Sequence, residues 1–329
     1  FSTHASDTLS LHDALPIWYL NPPAKEIMEN QQDVTWTAQE MPVEKDVHDY
    51  RAVMNPHQLN SVTITLQTFV EIEQRVGDVW GTIATWFPHS EIEGACKEFE
   101  RMEKSIHAFF YQKMSDVLNI DPEETAKNQQ TIKVLKDKLE LIGHITANLD
   151  ENKPLTLATV AMLEQVLLFS NFAMLKSFKA NGNNLMKNTL TGVDFVIQDE
   201  QIHGELAKGL FLNYVQENEK HKLYDLSELP TQVIAVMEEI VAHEDAIIDY
   251  TFPGNADNSS LTLPYYINYP TIQYPGMNHI TNRSITIEWL DSTDTLGYAI
   301  FYYVYCIFRH IYSCKSCICY SYFHVNPQL

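Results

Sequence analysis

Cysteine is nearly missing from the body of this 329-residue chain: of its five, only Cys96 lies before residue 252. That scarcity excludes a disulfide framework and fits a reducing, cytoplasmic compartment. Positive charge is short as well, with 22 Lys and Arg against 43 Asp and Glu and a formal net charge of −21. Such a surface repels phosphate backbones, so nucleic acid is not expected as a partner. Long hydrophobic runs are absent too. The longest uninterrupted one, Leu296 to Phe308, stops at Arg309. It falls short of the roughly 18 residues that a span needs, so no membrane partner is expected. There is no positively charged, apolar N-terminal signal. No Gly-rich phosphate-binding loop is present, so no nucleotide site is expected. Before residue 260 strand signals are few, and there is no internal repeat or low-complexity segment.

What is there divides into three parts. Residues 1–17 show no sustained helical or strand period and read as a leader or non-native segment. Residues 18–255 read as one helical domain. From about Phe252 the helical periodicity stops, and residues 256–329 form an atypical tail. Eleven of the seventeen tyrosines and four of the five cysteines lie beyond that point. Cys314, Cys317 and Cys319, with His310 or His324, have some of the spacing of a zinc knuckle. No second Cys-x-x-Cys pair exists, and the surroundings are Tyr-rich and apolar, so zinc is not favoured there.

Between the ends the chain reads as helix after helix. Trp36 to Pro42 is an extended lead-in. Residues 58–87 carry Leu59, Val62, Leu66, Phe69, Val70 and Ile72 near helical spacing and are closed by Pro88. Ser90, with Glu93 three residues on, predicts a capping box for a helix running to about Leu118. Asp121-Pro-Glu-Glu starts another, over 124–149. After Pro154, residues 156–180 are apolar on nearly every face, which marks a buried core helix. Gly182 breaks it. Residues 184–217 and 229–250 complete the set.

Asp199-Glu-Gln-Ile-His203 sits on the fifth of these helices. Glu200 and His203, three apart, project from one face and offer lone pairs to one point, a half-site for a transition metal. A second pair lies on the 90–118 helix, where Glu103 and His107 are four apart and Tyr111 follows one turn on. Glu164 is an isolated acid in the apolar 156–180 helix. A buried carboxylate there must be protonated, paired or metal-bound. On helix 58–87, Glu71 and Glu73 are both candidates, and Glu73 turns inward if Phe69 and Val76 line the core. Four helices thus bring four carboxylates and two histidines, the constellation of a ferritin-like di-iron or di-manganese bundle. The expected fold is therefore all-α, a ferritin-like helical bundle with a di-metal carboxylate site in its core.

The segments Leu163-Glu-Gln-Val-Leu-Leu-Phe-Ser-Asn-Phe-Ala173, Gly182-Asn-Asn-Leu-Met-Lys-Asn188 and Asp199–His203 resemble the small, radical-generating subunit of class I ribonucleotide reductase, its phage-like and bacterial members most. The resemblance spans roughly residues 30–250. It implies that Glu73, Glu103, His107, Glu164, Glu200 and His203 hold two iron ions, with manganese possible. It implies that Tyr111 is the tyrosine oxidised to a stable radical, with Leu168, Phe172 and Val196 forming the apolar pocket around it. Trp36 and Asp199 match residues that carry an electron and a proton between the metal site and the large subunit. The implied partners are that large subunit and a second copy of the chain, as a homodimer. The implied activity is ribonucleoside-diphosphate reduction for deoxyribonucleotide synthesis.

Two departures qualify the match. The family usually has Glu-x-x-His on its first metal helix, whereas here Lys104 stands three before His107 and Glu103 four before. Either one inserted residue is taken up by a helix bulge, or Lys104 replaces a ligand and stands in for metal charge. The second departure is the tail, which has nothing of the family's large-subunit docking segment. Other readings of the residues stay open. Tyr111 is also consistent with an ordinary core residue, Trp36 with an anchor for the N-terminal segment, and Asp199 with an acceptor that orients a histidine ring. The rival functions are a ferritin-like di-iron oxidase or iron-binding protein, a metal-free radical subunit using Lys104, and a non-catalytic helical scaffold.

Overall fold

The computed structural model describes residues 21–179, 184–222 and 225–251, and among these there is no strand. The proposed leader 1–17, the tail 256–329 with its cysteines, and Gly182 lie outside the described residues.

Local chemistry explains most helix starts. Helix α1 (Pro22–Asp33) opens on Asn21, whose side chain accepts from Ala24 N, with prolines in the first turn. Helix α2 (Pro56–Ile83) opens on a reciprocal box: Asn55 accepts from His57 N and Gln58 N, and Gln58 accepts from Asn55 N. Asp121 caps α5 (Pro122–Thr131) and Asn152 caps α7 (Lys153–Met162), each with proline in the first turn. These side chains pair amide groups that a helix start leaves without partners.

The helix over 90–118 has three parts: α3 (Ser90–Met102), a π turn (Glu103–His107) and α4 (Ala108–Leu118). The expected Ser90 capping box does not form. His89 is the cap residue, and its carbonyl accepts from Ile92 N and Glu93 N. Ser90 instead donates to Glu91, which also accepts from Asn21 N and so ties α1 to α3. The expected 124–149 helix is two helices, α5 and α6 (Lys133–Ile145), because Ile132 is extended at φ −82°, ψ 109°. The apolar segment is α7, a second π turn (Leu163–Leu167) and α8 (Phe169–Lys176). Over Lys153–Lys176 it is long and apolar enough to cross a bilayer, yet 94% of its most apolar window is buried inside the bundle. That is the environment of a core helix.

Helices α9 (Lys187–His221) and α10 (Leu229–Thr251) complete the bundle. The lead-in around Trp36 is not extended: it coils through 3₁₀ turns at Ala38–Glu40 and Val43–Asp46. There Asp46 turns back onto the start of α9, accepting from Asn188 N and Thr189 N. A carboxylate at that end satisfies free amides and the helix dipole together.

Helix α2 packs on α3, α4, the π turn between them and α6, while α9 packs on α7 and the second π turn. Helix α10 covers α6, α7 and α8, and α1 lies against α3 and α9. The core runs continuously through these layers, from Trp36 and Phe69 to Phe172, Val196 and Phe211.

Candidate metal centre

Each inner helix contributes to one buried cluster. Glu73 comes from α2, Glu103 and His107 from the first π turn, Glu164 from the second, and Glu200 and His203 from α9; all six are buried. Glu71, the other candidate on α2, faces out and pairs with Arg75 at 2.8 Å.

The six side chains divide into two overlapping groups, each with its donor atoms within 4.8 Å of one another: Glu73, Glu103, His107 and Glu200, then Glu103, Glu164, Glu200 and His203. His107 Nδ1 lies 3.4 Å from Glu73 Oε2, 3.3 Å from Glu103 Oε2 and 3.3 Å from Glu200 Oε1. His203 Nδ1 lies 2.7 Å from Glu103 Oε1 and 3.8 Å from both Glu164 Oε2 and Glu200 Oε2. Glu103 and Glu200 therefore present one oxygen to each histidine and are shared, while Glu73 and Glu164 each serve one side.

The donor set fits two divalent cations. Both oxygens of Glu73, Glu103 and Glu200, Glu164 Oε2 and the Nδ1 atoms of both histidines are buried without a hydrogen-bond partner among the described residues. Buried polar atoms normally find partners. Four carboxylates balance two dications, and a mixed oxygen and imidazole set suits iron or manganese.

The electrostatics are those of crowded acids. Burial raises Glu73 well above the carboxylate range, and Glu103 adds to this. Burial also raises Glu200, with the charges of Glu103 and Glu164 adding to it. Burial opposes ionisation of Glu103 as well, but the adjacent Glu73 carboxyl and the charge of His107 outweigh it and hold Glu103 low. Burial works against the charged form of His203, yet the carboxylates of Glu103 and Glu164 beside it lift it to about 9. His107 is raised well above the usual value, since Glu103 and Asp199 outweigh its burial.

Lys104 does not enter the cluster. The π turn points it outward, where Nζ lies 2.5 Å from Asp78 and 2.9 Å from Glu100. Gly77 makes the approach possible: a Cβ there would lie 2.7 Å from Lys104 Cγ and 3.2 Å from Glu103 Cβ.

Asp199 links the cluster to the N-terminal segment. Its Oδ2 is 3.0 Å from His107 Nε2 and accepts from Trp36 Nε1 at 2.8 Å. Its Oδ1 accepts from Gln31 Nε2 at 2.8 Å. Trp36 also lies nearly parallel to His107, with centroids 6.1 Å apart. Tyr111 is fully buried one turn beyond His107, and its hydroxyl has no partner among the described residues. Burial raises its pKa well above the phenol range, and Glu73 adds to the shift.

Aromatic rings line part of the wall around Tyr111. Phe69 at 4.5 Å and Phe110 at 5.3 Å contact its ring, and Phe172 reaches it through Phe69 at 5.2 Å. Leu168 and Val196 are buried in the same core. Sequence reasoning did not place Phe69 against Tyr111, nor Gln31 on Asp199. It also missed Trp80, whose Nε1 donates to Glu164 Oε1 at 2.5 Å. Phe69 and Trp80 fall on the α2 face that carries Glu73, which is the signal available for them. Gln31 lies on a helix that was not anticipated.

Comparison with known proteins bears on the family and the fold. The chain is 29% identical over 246 residues to the ribonucleoside-diphosphate reductase small subunit 376L of Invertebrate iridescent virus 6, covering 68% of this chain and 67% of that one. The fold is similar to dimanganese(II)-NrdF of Streptococcus sanguinis, with TM-score 0.61, 19% identity, and 73% and 83% of the two chains covered. It is similar also to an R2-like ligand-binding oxidase with a Mn/Fe cofactor, with TM-score 0.59, 17% identity, and 74% and 91% covered. Residues 19–272 match the profile of the family described as ribonucleotide reductase, small chain, and the chain belongs to that family.

Proposed function

We propose that this chain is the radical-generating small subunit of a ribonucleoside-diphosphate reductase, cytoplasmic and homodimeric, acting with a separate large subunit in deoxyribonucleotide synthesis. The observation that carries the reading is the alignment, in one buried core, of the six-residue cluster, Tyr111, and the Trp36–Asp199–His107 chain.

Glu73, Glu103, His107 and Glu200 would hold one metal ion; Glu103, Glu164, Glu200 and His203 would hold the other. Two iron ions, or manganese, would supply the dioxygen-derived oxidising power that takes one electron and the phenol proton from Tyr111. The residues do the rest. Burial keeps Tyr111 a neutral phenol until it is oxidised. Phe69, Phe110 and Phe172 exclude the water and reductants that would quench a phenoxyl radical. Asp199 orients His107 through Nε2 and holds Trp36 on the same oxygen. That arrangement gives an electron and a proton a continuous hydrogen-bonded route from the metal side toward the N-terminal segment. The outward set of Lys104 supports metal rather than an ammonium as the counter-charge.

Anaerobic loading with Fe(II), exposure to air and electron paramagnetic resonance test the reading. Two irons per chain and a tyrosyl signal that vanishes in Tyr111→Phe are expected. The similarity to ligand-binding oxidases favours a second reading, a di-metal oxidase of the same fold. It predicts two metal ions and no radical.

A further inference from the structure

The helix that carries Glu164 is broken shortly after it. α-Helical bonding resumes with Phe172 N on Leu168 O at 3.0 Å. Leu167 O and Ser170 N therefore fall at the junction between the second π turn and α8, deep in the core. Groups in such a place need partners from elsewhere. Lys138 on α6 donates to Leu167 O at 2.6 Å, and Glu244 on α10 accepts from Ser170 N at 3.0 Å. The two side chains pair with each other at 2.7 Å. The remaining ammonium hydrogen goes to Asn171 Oδ1 at 2.8 Å, and Asn171 Nδ2 donates to Thr65 on α2 at 3.2 Å. Each of the three ammonium hydrogens and both carboxylate oxygens is used, and both residues are buried. Burial lowers the Lys138 pKa, with Glu244 opposing the shift. A buried ion pair adds little stability over well-packed apolar side chains, so stability alone does not account for it.

We propose that Lys138 and Glu244 are positioning residues of the metal centre: by filling the break at Leu167–Ser170 from α6 and α10, they hold the π turn that sets Glu164 beside His203. The proposal rests on Glu164 being a metal ligand. If the turn relaxes to α geometry, the helix register shifts by one residue. Side chains on one side of it then rotate by about 100° relative to those on the other. Glu164 and the α8 residues then cannot both keep their places.

The test is anaerobic titration of the full chain with Mn(II), followed by electron paramagnetic resonance. Wild type is compared with Lys138→Met/Glu244→Met and with Glu164→Ala. The paired replacement avoids leaving one buried charge alone. Wild type is expected to bind two ions per chain as a magnetically coupled pair. The paired variant is expected to keep the ion on the Glu73 and His107 side and to bind the second about 10- to 100-fold more weakly. It should show an isolated Mn(II) signal, as Glu164→Ala should, with helical content unchanged. Wild-type affinity for the second ion in the paired variant, with that ion lost in Glu164→Ala, overturns the positioning role alone. Two ions bound normally by Glu164→Ala overturn the ligand reading and the positioning role together. If the paired variant does not fold, Asn171→Ala removes one acceptor of the ammonium. It is expected to weaken the second site about tenfold, and unchanged affinity in it overturns the proposal.

Discussion

Glu103 and His107 stand at the two ends of one π turn, with Glu103 Oε2 3.3 Å from His107 Nδ1. The turn absorbs one residue relative to Glu-x-x-His, and it sets Lys104 on the outer surface. Deleting Lys104 should return the segment to α geometry, with the glutamate and histidine three apart on one face. Two metal ions per chain should still bind. Metal analysis with circular dichroism checks this, and lost metal at unchanged helical content would contradict it.

Gly77→Ala sets two effects against each other. Alanine favours the helix by about 1 kcal/mol, while its Cβ would meet Lys104 Cγ at 2.7 Å. Overpacking of this kind costs about 1–3 kcal/mol, so the change should destabilise the protein. In a Lys104→Ala background the tightest contact disappears, and Gly77→Ala should become neutral or stabilising. Urea denaturation of the four proteins measures the coupling; equal effects in both backgrounds would refute the close-approach account.

Trp36→Phe removes one of the three groups hydrogen-bonded to Asp199 and leaves Gln31 and His107 in place. The variant should bind two metal ions and form the Tyr111 radical. Nucleotide reduction with the large subunit should fall at least about tenfold, about 1.4 kcal/mol on the barrier. Activity equal to wild type would remove Trp36 from the relay.

The metal-free protein should lose stability as pH rises. His203 has a folded pKa raised from 6.5 to about 9, and His107, Glu73 and Glu200 are also raised. Each raised group binds more proton in the folded state, so its contribution is full below the unfolded pKa. It is lost as pH climbs through the folded value. Glu103 is shifted the other way, and its contribution is lost only toward acid pH. Thermal melting in chelator should therefore fall between pH 6.5 and 9, by several degrees, and fall less in His203→Gln. A melting temperature that rises over that window would show that the cluster does not hold these protons. Metal loading should release protons over the same range, since the ligands must give them up.

Sequence reading reached the site residues by three routes: helical spacing, the lone acid Glu164 in an apolar segment, and, for Trp36 and Asp199, the family resemblance. Glu200 with His203, and Glu103 with His107 and Tyr111, are read from helical spacing alone. Glu71 and Glu73 project from nearly opposite faces of α2, and choosing between them depended on Phe69 and Val76 marking the core side. Helix α1 is short and polar and lacks an apolar stripe, so periodicity does not mark it, although Asn21 before Pro22 is a helix-start signal and its Ala, Lys, Glu, Met and Gln favour helix. The break at Ile132 has no glycine or proline to announce it. Ser90 lost its capping role to a contact with Glu91, which is itself held by α1. Lys138 resembles any surface lysine of an amphipathic helix. Its burial depends on Glu244, 106 positions away.

The most direct test of the metal-centre account is anomalous diffraction from crystals loaded with Mn(II). The account predicts two peaks, both touching Glu103 and Glu200, one beside Glu73 and His107 and the other beside Glu164 and His203, with Lys104 turned to Asp78. A single peak, or Lys104 Nζ occupying either position, would contradict it.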